Sequence, residues 1–301
     1  MQARQSVQIS AEVEKLIGKI KRDNSLKAWS LIITFFGDAI VSRGGNVSAK
    51  TVQTVLASHG IGSGAVRTAF SRLASDEWIV RSKIGRESFY ELADDGYQTF
   101  SNAALRIYSP LNKNNVAPKD CWTVAIKNPL VKSGGELAGC GFQITSNCWL
   151  LSESEAGHYT DQAPDKNKYL LISGPLGDLP EWVTAKLLPA DISTGYRQLQ
   201  RDFGSVKNAS QLSPLDCLVL RCLLVHQWRK LLLRTPVLPQ DSIPVDWPEY
   251  ACREFVTDLY HQLLPASEAW LDEHATCAQG SLPAPSVDLQ LRFTSQFAVG
   301  K

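Results

Sequence analysis

No surplus of charge names a partner for this chain, because 31 lysines and arginines face 30 aspartates and glutamates. No apolar run is long enough to cross a bilayer. The longest, CLVLRCLLVHQW over 217–228, is broken by Arg221 and His226 and falls short of the ~20 residues that a spanning helix needs. The opening MQARQSVQISAEVEKLIGKIKRDN is polar and lacks the apolar core of a secretory signal. Seven cysteines, an odd number at irregular spacing without a C-x-x-C pair, argue against both a disulfide framework and a structural zinc site. They are expected to be reduced, mostly buried thiols of a cytoplasmic protein. Cys217 and Cys222, five apart on a helix, are expected on different faces.

Catalytic signatures are missing as well. His59, His158, His226, His261 and His274 show neither H-x-x-x-H nor H-E-x-x-H spacing, so no metal site is expected. There is no G-x-S-x-G; GIGSGA is better read as the turn before a helix. SGGELAGCG follows a strand-like run but lacks the G-x-G-x-x-G spacing of a dinucleotide site. The residues point to no cofactor and no catalytic group.

What the chain does have is an uneven distribution of charge. From Arg43 to Arg86, seven basic residues (Arg43, Lys50, Arg67, Arg72, Arg81, Lys83 and Arg86) meet only Asp76 and Glu77, a local +5 in a chain of net +1. A basic lobe on a slightly acidic body is the electrostatic outline of a nucleic-acid binder, although a solvated charged face gives the same count. With 44% hydrophobic residues over 301 positions, two or three domains are expected.

Helical spacing puts Val13, Leu16, Ile17 and Ile20 on one face of residues 11–22. In LKAWSLIITFFGDAI (26–40), Leu26, Trp29, Ile33, Phe36 and Ile40 share one side of a helix, although the β-branched run leaves a strand reading open. RGGN (43–46) is a turn. Ser48 caps a helix with Val52, Val55 and Leu56 inward, and Gly60 ends it. The turn GIGS leads into a second helix with a narrow apolar stripe of Val66, Ala69, Phe70 and Leu73. Its opposite arc carries Gly64, Arg67, Thr68, Ser71, Arg72 and Ser75. This is helix-turn-helix spacing. WIVRSKIGRESFYEL then alternates as two strands with Trp78, Val80, Phe89 and Leu92 inward and KIGR at the tip.

SPLNKNNVAP (109–118) reads as a linker. Beyond it lie strand-like runs at 121–126, 142–151 and 168–173, a small α+β or α/β unit. The last third is helical. Ser213 caps a helix from Pro214, and Asp246 with Glu249 forms a D-x-x-E capping pair for a helix that Pro265 ends or kinks. Residues 276–301 have little core-forming pattern and are expected to form a mobile tail.

These elements carry a chemistry. Small residues let the second helix approach a groove, and Arg67 and Arg72 present forked donors to phosphates or guanine edges. A hairpin tipped by Lys83 and Arg86 suits a winged-helix pattern gripping the DNA backbone. Helix-helix-hairpin units also serve as protein-interaction or RNA-binding modules, so that alternative stays open. In LVHQWRKLLLR (224–234), His226, Arg229 and Arg234 beside Trp228 are either a surface stripe with arginine stems over apolar neighbours or an anion-recognising wall of a ligand pocket.

WSLIITFFGDAIVSRGG, GAVRTAFSRLASDEWIVRSKIGRESFYELADDG, YRQLQRDFG and the stretch from LVHQWRKLLLR through DWPEY to SEAWL together resemble PaaX-type regulators of phenylacetic acid degradation. The resemblance covers most of residues 25–272. It implies an α+β protein with an N-terminal winged helix-turn-helix (25–108) behind an N-terminal arm (1–24). A middle ferredoxin-like (Cas2-like) domain (119–186), a C-terminal helical domain (190–275) and the tail (276–301) follow. It also implies a homodimeric repressor that leaves double-stranded operator DNA on binding an aryl-CoA thioester. The expected DNA-contacting residues are Ser48, Lys50, Ser63, Gly64, Arg67, Thr68, Ser71, Arg72, Lys83 and Arg86. Arg197, His226, Trp228 and Arg229 are the expected effector contacts. Lys127-Asn128-Pro129 stands where Cas2-like nucleases carry a metal-binding aspartate, so no nuclease activity is expected.

Overall fold

The computed structural model describes residues 9–23, 26–110, 122–131, 137, 141–152, 156, 168–206, 209–236, 238 and 242–297. The described chain is α+β and divides into two units. One is drawn from residues 1–111, 198–230 and 251–301, the other from 112–197 and 231–250. The helical segment expected as a separate domain over 190–275 therefore contributes to both.

Helix α1 (Ala11–Asp23) buries Val13, Leu16, Ile17 and Ile20, the stripe read from spacing. Helix α2 (Ala28–Phe35) widens into a π-helical turn at Phe36–Ile40 and ends in a 3-10 turn at Val41–Arg43. A strand is thereby excluded. The segment is buried on nearly all sides, through Leu31, Ile32, Phe35, Phe36 and Ile40, whereas Trp29, expected inward, is 39% exposed. A widened turn of this kind marks a place where backbone carbonyls are put to other use, and here they meet arginines.

The strand β1 (Val47–Ser48) leads into α3 (Ala49–Ser58), capped as expected by the Ser48 hydroxyl, which accepts from Thr51 N. Helix α4 (Ser63–Ser75) buries Val66, Ala69, Phe70 and Leu73. Strands β2 (Ile79–Ile84) and β3 (Glu87–Leu92) form a hairpin, and β1 pairs with the other edge of β3, giving the order β1-β3-β2. At the tip Gly85 takes φ +59°, a conformation glycine adopts at no steric cost. On β2 the phase differs from expectation by one residue: Ile79, not Trp78 or Val80, is buried. On β3 Phe89 is buried as expected, with Tyr90 beside it. Glu77, at φ 56°, reverses the chain after α4 and resets the alternation. The Phe70 ring stacks on Tyr90 at 3.9 Å between centroids, tying α4 to the hairpin. Helix α5 (Asp94–Ile107) follows.

In the other unit, β4 (Trp122–Lys127), β5 (Phe142–Thr145), β6 (Cys148–Leu151) and β7 (Tyr169–Gly174) form an antiparallel sheet in the order β5-β6-β4-β7. The run FQITSNCWLL is thus a hairpin turning at Ser146 and Asn147, not one strand. Ala125, Leu137 and Leu151 form the core of one face with Trp149 and Tyr169 packed against it. Helix α6 (Glu181–Leu187) and the start of α7 (Ala190–Phe203) complete it.

Helix α8 (Pro214–Leu232) is capped by Ser213, whose hydroxyl accepts from Asp216 N at 3.1 Å. It is buried all round, so Cys217 and Cys222 are both inside despite their different angular positions. All five described cysteines are free thiols. Helix α9 (Glu249–His274) runs through Pro265 instead of ending there. Strands β8 (Thr276–Cys277) and β9 (Gly280–Ser281) and helix α10 (Val287–Leu291) then complete the first unit. The expected mobile tail is a docked segment through residue 297. Leu289, Arg292 and Phe293 are buried, and Phe293 N donates to Tyr108 O.

Arg292 belongs to a buried charge network centred on Asp38 in the π turn. One Asp38 oxygen accepts from Tyr108 Oη at 2.8 Å, Tyr260 Oη at 3.1 Å and Arg292 Nη1 at 2.9 Å. The other lies 2.7 Å from Arg221 Nε. The carbonyls of Gly37 and Asp38 accept further bonds from Arg292, and Asp38 O also accepts from Arg221. Arg221 continues to Glu268, which pairs with Arg43, and Arg43 reaches Asp272 at 2.7 Å. Arg43 is 1% exposed, so it leaves the surface charge count made from sequence. Burial, with the neighbouring Asp38 charge, raises Tyr108 well above its usual value. It therefore stays a neutral donor.

Candidate nucleic-acid interface

Among the expected DNA-contacting residues, Ser63, Gly64, Arg67, Thr68, Ser71 and Arg72 are all exposed on α4. Because the four buried residues occupy one stripe, the remaining arc faces outward as a single surface of small and basic side chains. The Thr68 hydroxyl donates back to Gly64 O at 3.1 Å, leaving its oxygen able to accept. Arg72 lies 3.4 Å from Asp76 and 5.9 Å from the centre of the half-exposed Trp29 ring. These contacts engage its guanidinium, while the side chain stays 68% exposed. No side chain caps the start of α4 at Gly62, so its first N–H groups point their partial positive charge outward.

Lys83 and Arg86 are exposed at the hairpin tip, and Lys50 is exposed in the first turn of α3. Arg81, counted in the basic cluster but not assigned a role, is exposed on β2 and donates to Ser88 Oγ at 2.8 Å. Ser48 stands apart from this set. It is 3% exposed, and its hydroxyl serves Thr51 and accepts from Thr276 Oγ1 at 2.9 Å. The expected backbone contact at Ser48 is therefore replaced by a capping role; its position just before a helix was the signal.

The expected effector residues are also placed differently. His226 and Arg229 clasp α8 to α2, and Trp228 clasps it to the end of α5 in the same unit. Arg229 Nε donates to Thr34 Oγ1 at 2.7 Å, and its Nη2 donates to Ser30 O and Oγ. The one hydroxyl proton of Thr34 goes to Ser30 O, so His226 Nδ1, 3.0 Å away, is the donor of that pair. Trp228 Nε1 donates to Ile107 O, and Arg253 covers the ring. His226 and Trp228 are buried. These groups are spent on packing, not on an open wall. Arg197 belongs to the other unit. Among the described residues, no group of three or more His, Cys, Asp and Glu could hold a metal ion, and no helix is long and apolar enough to cross a membrane.

The clasp carries a pH dependence. Burial lowers His226 well below 6.5, with Arg229 and Lys230 adding to the shift, and burial also lowers His59, which sits between Val55 O and Val219 O. The native state keeps both rings neutral, whereas the unfolded chain takes up protons as pH falls through 6.5. Their contribution to stability is present above that pH and is lost below it. Urea midpoints at pH 7.5 and at pH 5.5 should show wild type losing more stability than His226→Gln; equal losses would remove His226 as a cause.

The sequence matches the PaaX-like protein family over residues 27–96 and the PaaX-like protein C-terminal domain over residues 189–273. It is 27% identical to the transcriptional repressor PaaX of Escherichia coli (strain K12) over 278 residues, 85% of this chain and 86% of that one. The uncharacterized protein Rv0674 from Mycobacterium tuberculosis is similar in structure at a TM-score of 0.41 and 17% identity, covering 72% of this chain and 90% of that one. The first family match holds α4 and the whole hairpin, and the second holds the α8 clasp, so on residues that build both the exposed arc and its support, the chain belongs to the PaaX-like protein family.

Proposed function

We propose that this chain is a cytoplasmic, homodimeric transcriptional repressor that binds the operator of a phenylacetate-type aromatic catabolic operon and is released by an aryl-CoA thioester. One observation carries the DNA-binding reading: Arg67, Thr68, Ser71 and Arg72 share the exposed arc of α4, behind which Phe70 and its neighbours are anchored. The succession α3, turn, α4, hairpin, with β1 on the outer edge of the hairpin, supports a winged helix-turn-helix. The order β5-β6-β4-β7, antiparallel throughout, supports a ferredoxin-like middle domain. The similarity to the Escherichia coli repressor along 85% of the chain supports repression as the role.

A gel-shift titration tests the reading by comparing the promoter of the regulated operon with a scrambled duplex of equal length at two salt concentrations. The operator is expected to bind tighter, with aryl-CoA reversing the shift. Equal affinities with identical salt slopes would reject the repressor reading in favour of a scaffold without operator specificity.

Lys83 and Arg86 have a different expected signature. As backbone contacts they should weaken binding to both duplexes alike when changed to alanine. Each loss should reduce the slope of log affinity against log salt by about 1. Titration over a salt series measures this; an unchanged slope in the double variant would remove the hairpin tip from the interface.

A further inference from the structure

The first unit contains a pocket of about 220 Å3 that the clasp residues do not line. Its walls come from α5, from Val41 and Ser42 in the 3-10 turn that follows the π turn, and from the C-terminal segment. Three aromatic rings, Tyr97, Phe100 and Phe297, face it. The Phe100 ring rests on Gly37, where a Cβ would come within 1.3 Å of it. That wall exists only because glycine stands in the π turn. For scale, a dry cavity of roughly 150 Å3 suffices to hold benzene.

The polar groups narrow the ligand further. Ser42 lines the pocket and is 9% exposed, and its hydroxyl has no hydrogen-bond partner among the described residues. A buried hydroxyl left unpaired is costly, and a turn of the Ser42 side chain toward the pocket would pair it with an acceptor or donor of an occupant. Arg292, also in the wall, is committed to Asp38 and to Gly37 O, so it offers no open anion site. Asp288, the remaining charge of the wall, repels a free carboxylate.

We propose that this pocket binds a small, flat aromatic group carrying an uncharged, hydrogen-bonding carbonyl, as in an amide or thioester, with Ser42 Oγ as its partner. Binding itself does not depend on the repressor reading; its consequence for DNA does. The occupant touches the C-terminal segment, which is seated on the rest of the unit by Ser286 N to Ser42 O, Arg292 to Asp38 and Phe293 N to Tyr108 O. Filling the pocket is thereby linked to how that segment sits against the π turn that continues α2.

The test uses the full chain, with benzamide and benzoate as probes of equal shape and different charge, measured by calorimetry and ligand-observed NMR. Benzamide is expected to bind and benzoate to bind more weakly. Ser42→Ala should weaken benzamide about fivefold, the loss of one hydrogen bond. Ser101→Trp, which fills the pocket from α5, should abolish binding while circular dichroism and thermal melting remain as in wild type. Should the tryptophan variant fail to fold, Ser101→Leu takes its place with the same expectation. The proposal falls if wild type ignores benzamide, if benzoate binds equally well, or if the filled variant still binds. Wild type that binds benzamide but prefers no duplex would reject the repressor reading and leave the pocket standing; operator binding without benzamide binding would do the reverse.

Discussion

Asp38→Ala should destabilise the protein by about 3–5 kcal/mol, the usual cost of removing one partner from a buried ion pair. The reason lies in what is left behind. Asp38 is 2% exposed, and its carboxylate meets Arg221, Arg292, Tyr108 and Tyr260. Deleting it leaves the buried Arg292 without a carboxylate, Arg221 with Glu268 as its remaining counter-charge, and two phenol donors short of an acceptor. Glu268 cannot compensate, because its two oxygens already serve Arg221 and Arg43. The cost is therefore one of uncompensated charge rather than of lost volume. A second substitution separates these causes. Adding Arg292→Met to Asp38→Ala removes one stranded cation, so the double variant should lose less than the sum of the single losses. Urea unfolding of the four proteins measures the coupling. A single-variant loss below about 1 kcal/mol, or strict additivity, would show that the network is not held by charge pairing.

That network is also where the sequence was least legible. Arg43 counts as surface charge on any reading of its neighbourhood, since RGGN is a polar turn. Its partner Glu268 is 225 residues away, and nothing local announces the pairing. Arg292 sits in a segment with little apolar periodicity because that segment is seated by hydrogen bonds and two or three buried side chains, not by an amphipathic stripe. Periodicity reports burial of a whole face; it is silent where a few polar anchors do the work. The pocket was invisible for the same reason, its walls being far apart in the chain. His226, Trp228 and Arg229 were legible as unusual, yet a cation beside a tryptophan on a helix has the same pattern whether it lines a cavity or clamps a neighbour. Only the distances to Ser30, Thr34 and Ile107 separate the two.

The rest of the first unit was readable because its signals are local. Ser48 and Ser213 cap the helices they precede, the stripe Val66, Ala69, Phe70 and Leu73 is buried as its spacing required, and Lys-Ile-Gly-Arg turns the hairpin. The phase of β2 was the exception. Alternation was extrapolated from Trp78, but Glu77 adopts φ 56° and the register restarts at Ile79. A positive φ at a non-glycine residue leaves no trace in hydrophobic pattern.

The exposed arc of α4 permits the other large prediction. Arg67→Ala and Arg72→Ala should each reduce operator affinity roughly 10- to 100-fold, the discrimination carried by a bidentate arginine contact to a base. Neither change should unfold the protein: both side chains are exposed, and exposed substitutions usually stay within about 0.5 kcal/mol. Affinity for a scrambled duplex should fall far less, since only a charge is lost there. Arg67→Lys sharpens the point. It keeps the charge but replaces a planar fork by a single ammonium, so it should retain non-specific binding while losing preference for the operator. Arg72 carries an added demand, because its guanidinium lies over the half-exposed Trp29 ring. Trp29→Ala should then weaken operator binding in wild type and have no effect once Arg72 is alanine. Operator affinities that survive both arginine replacements, measured in the same gel-shift titration, would remove α4 as the reading helix and transfer the basic lobe to a purely electrostatic role.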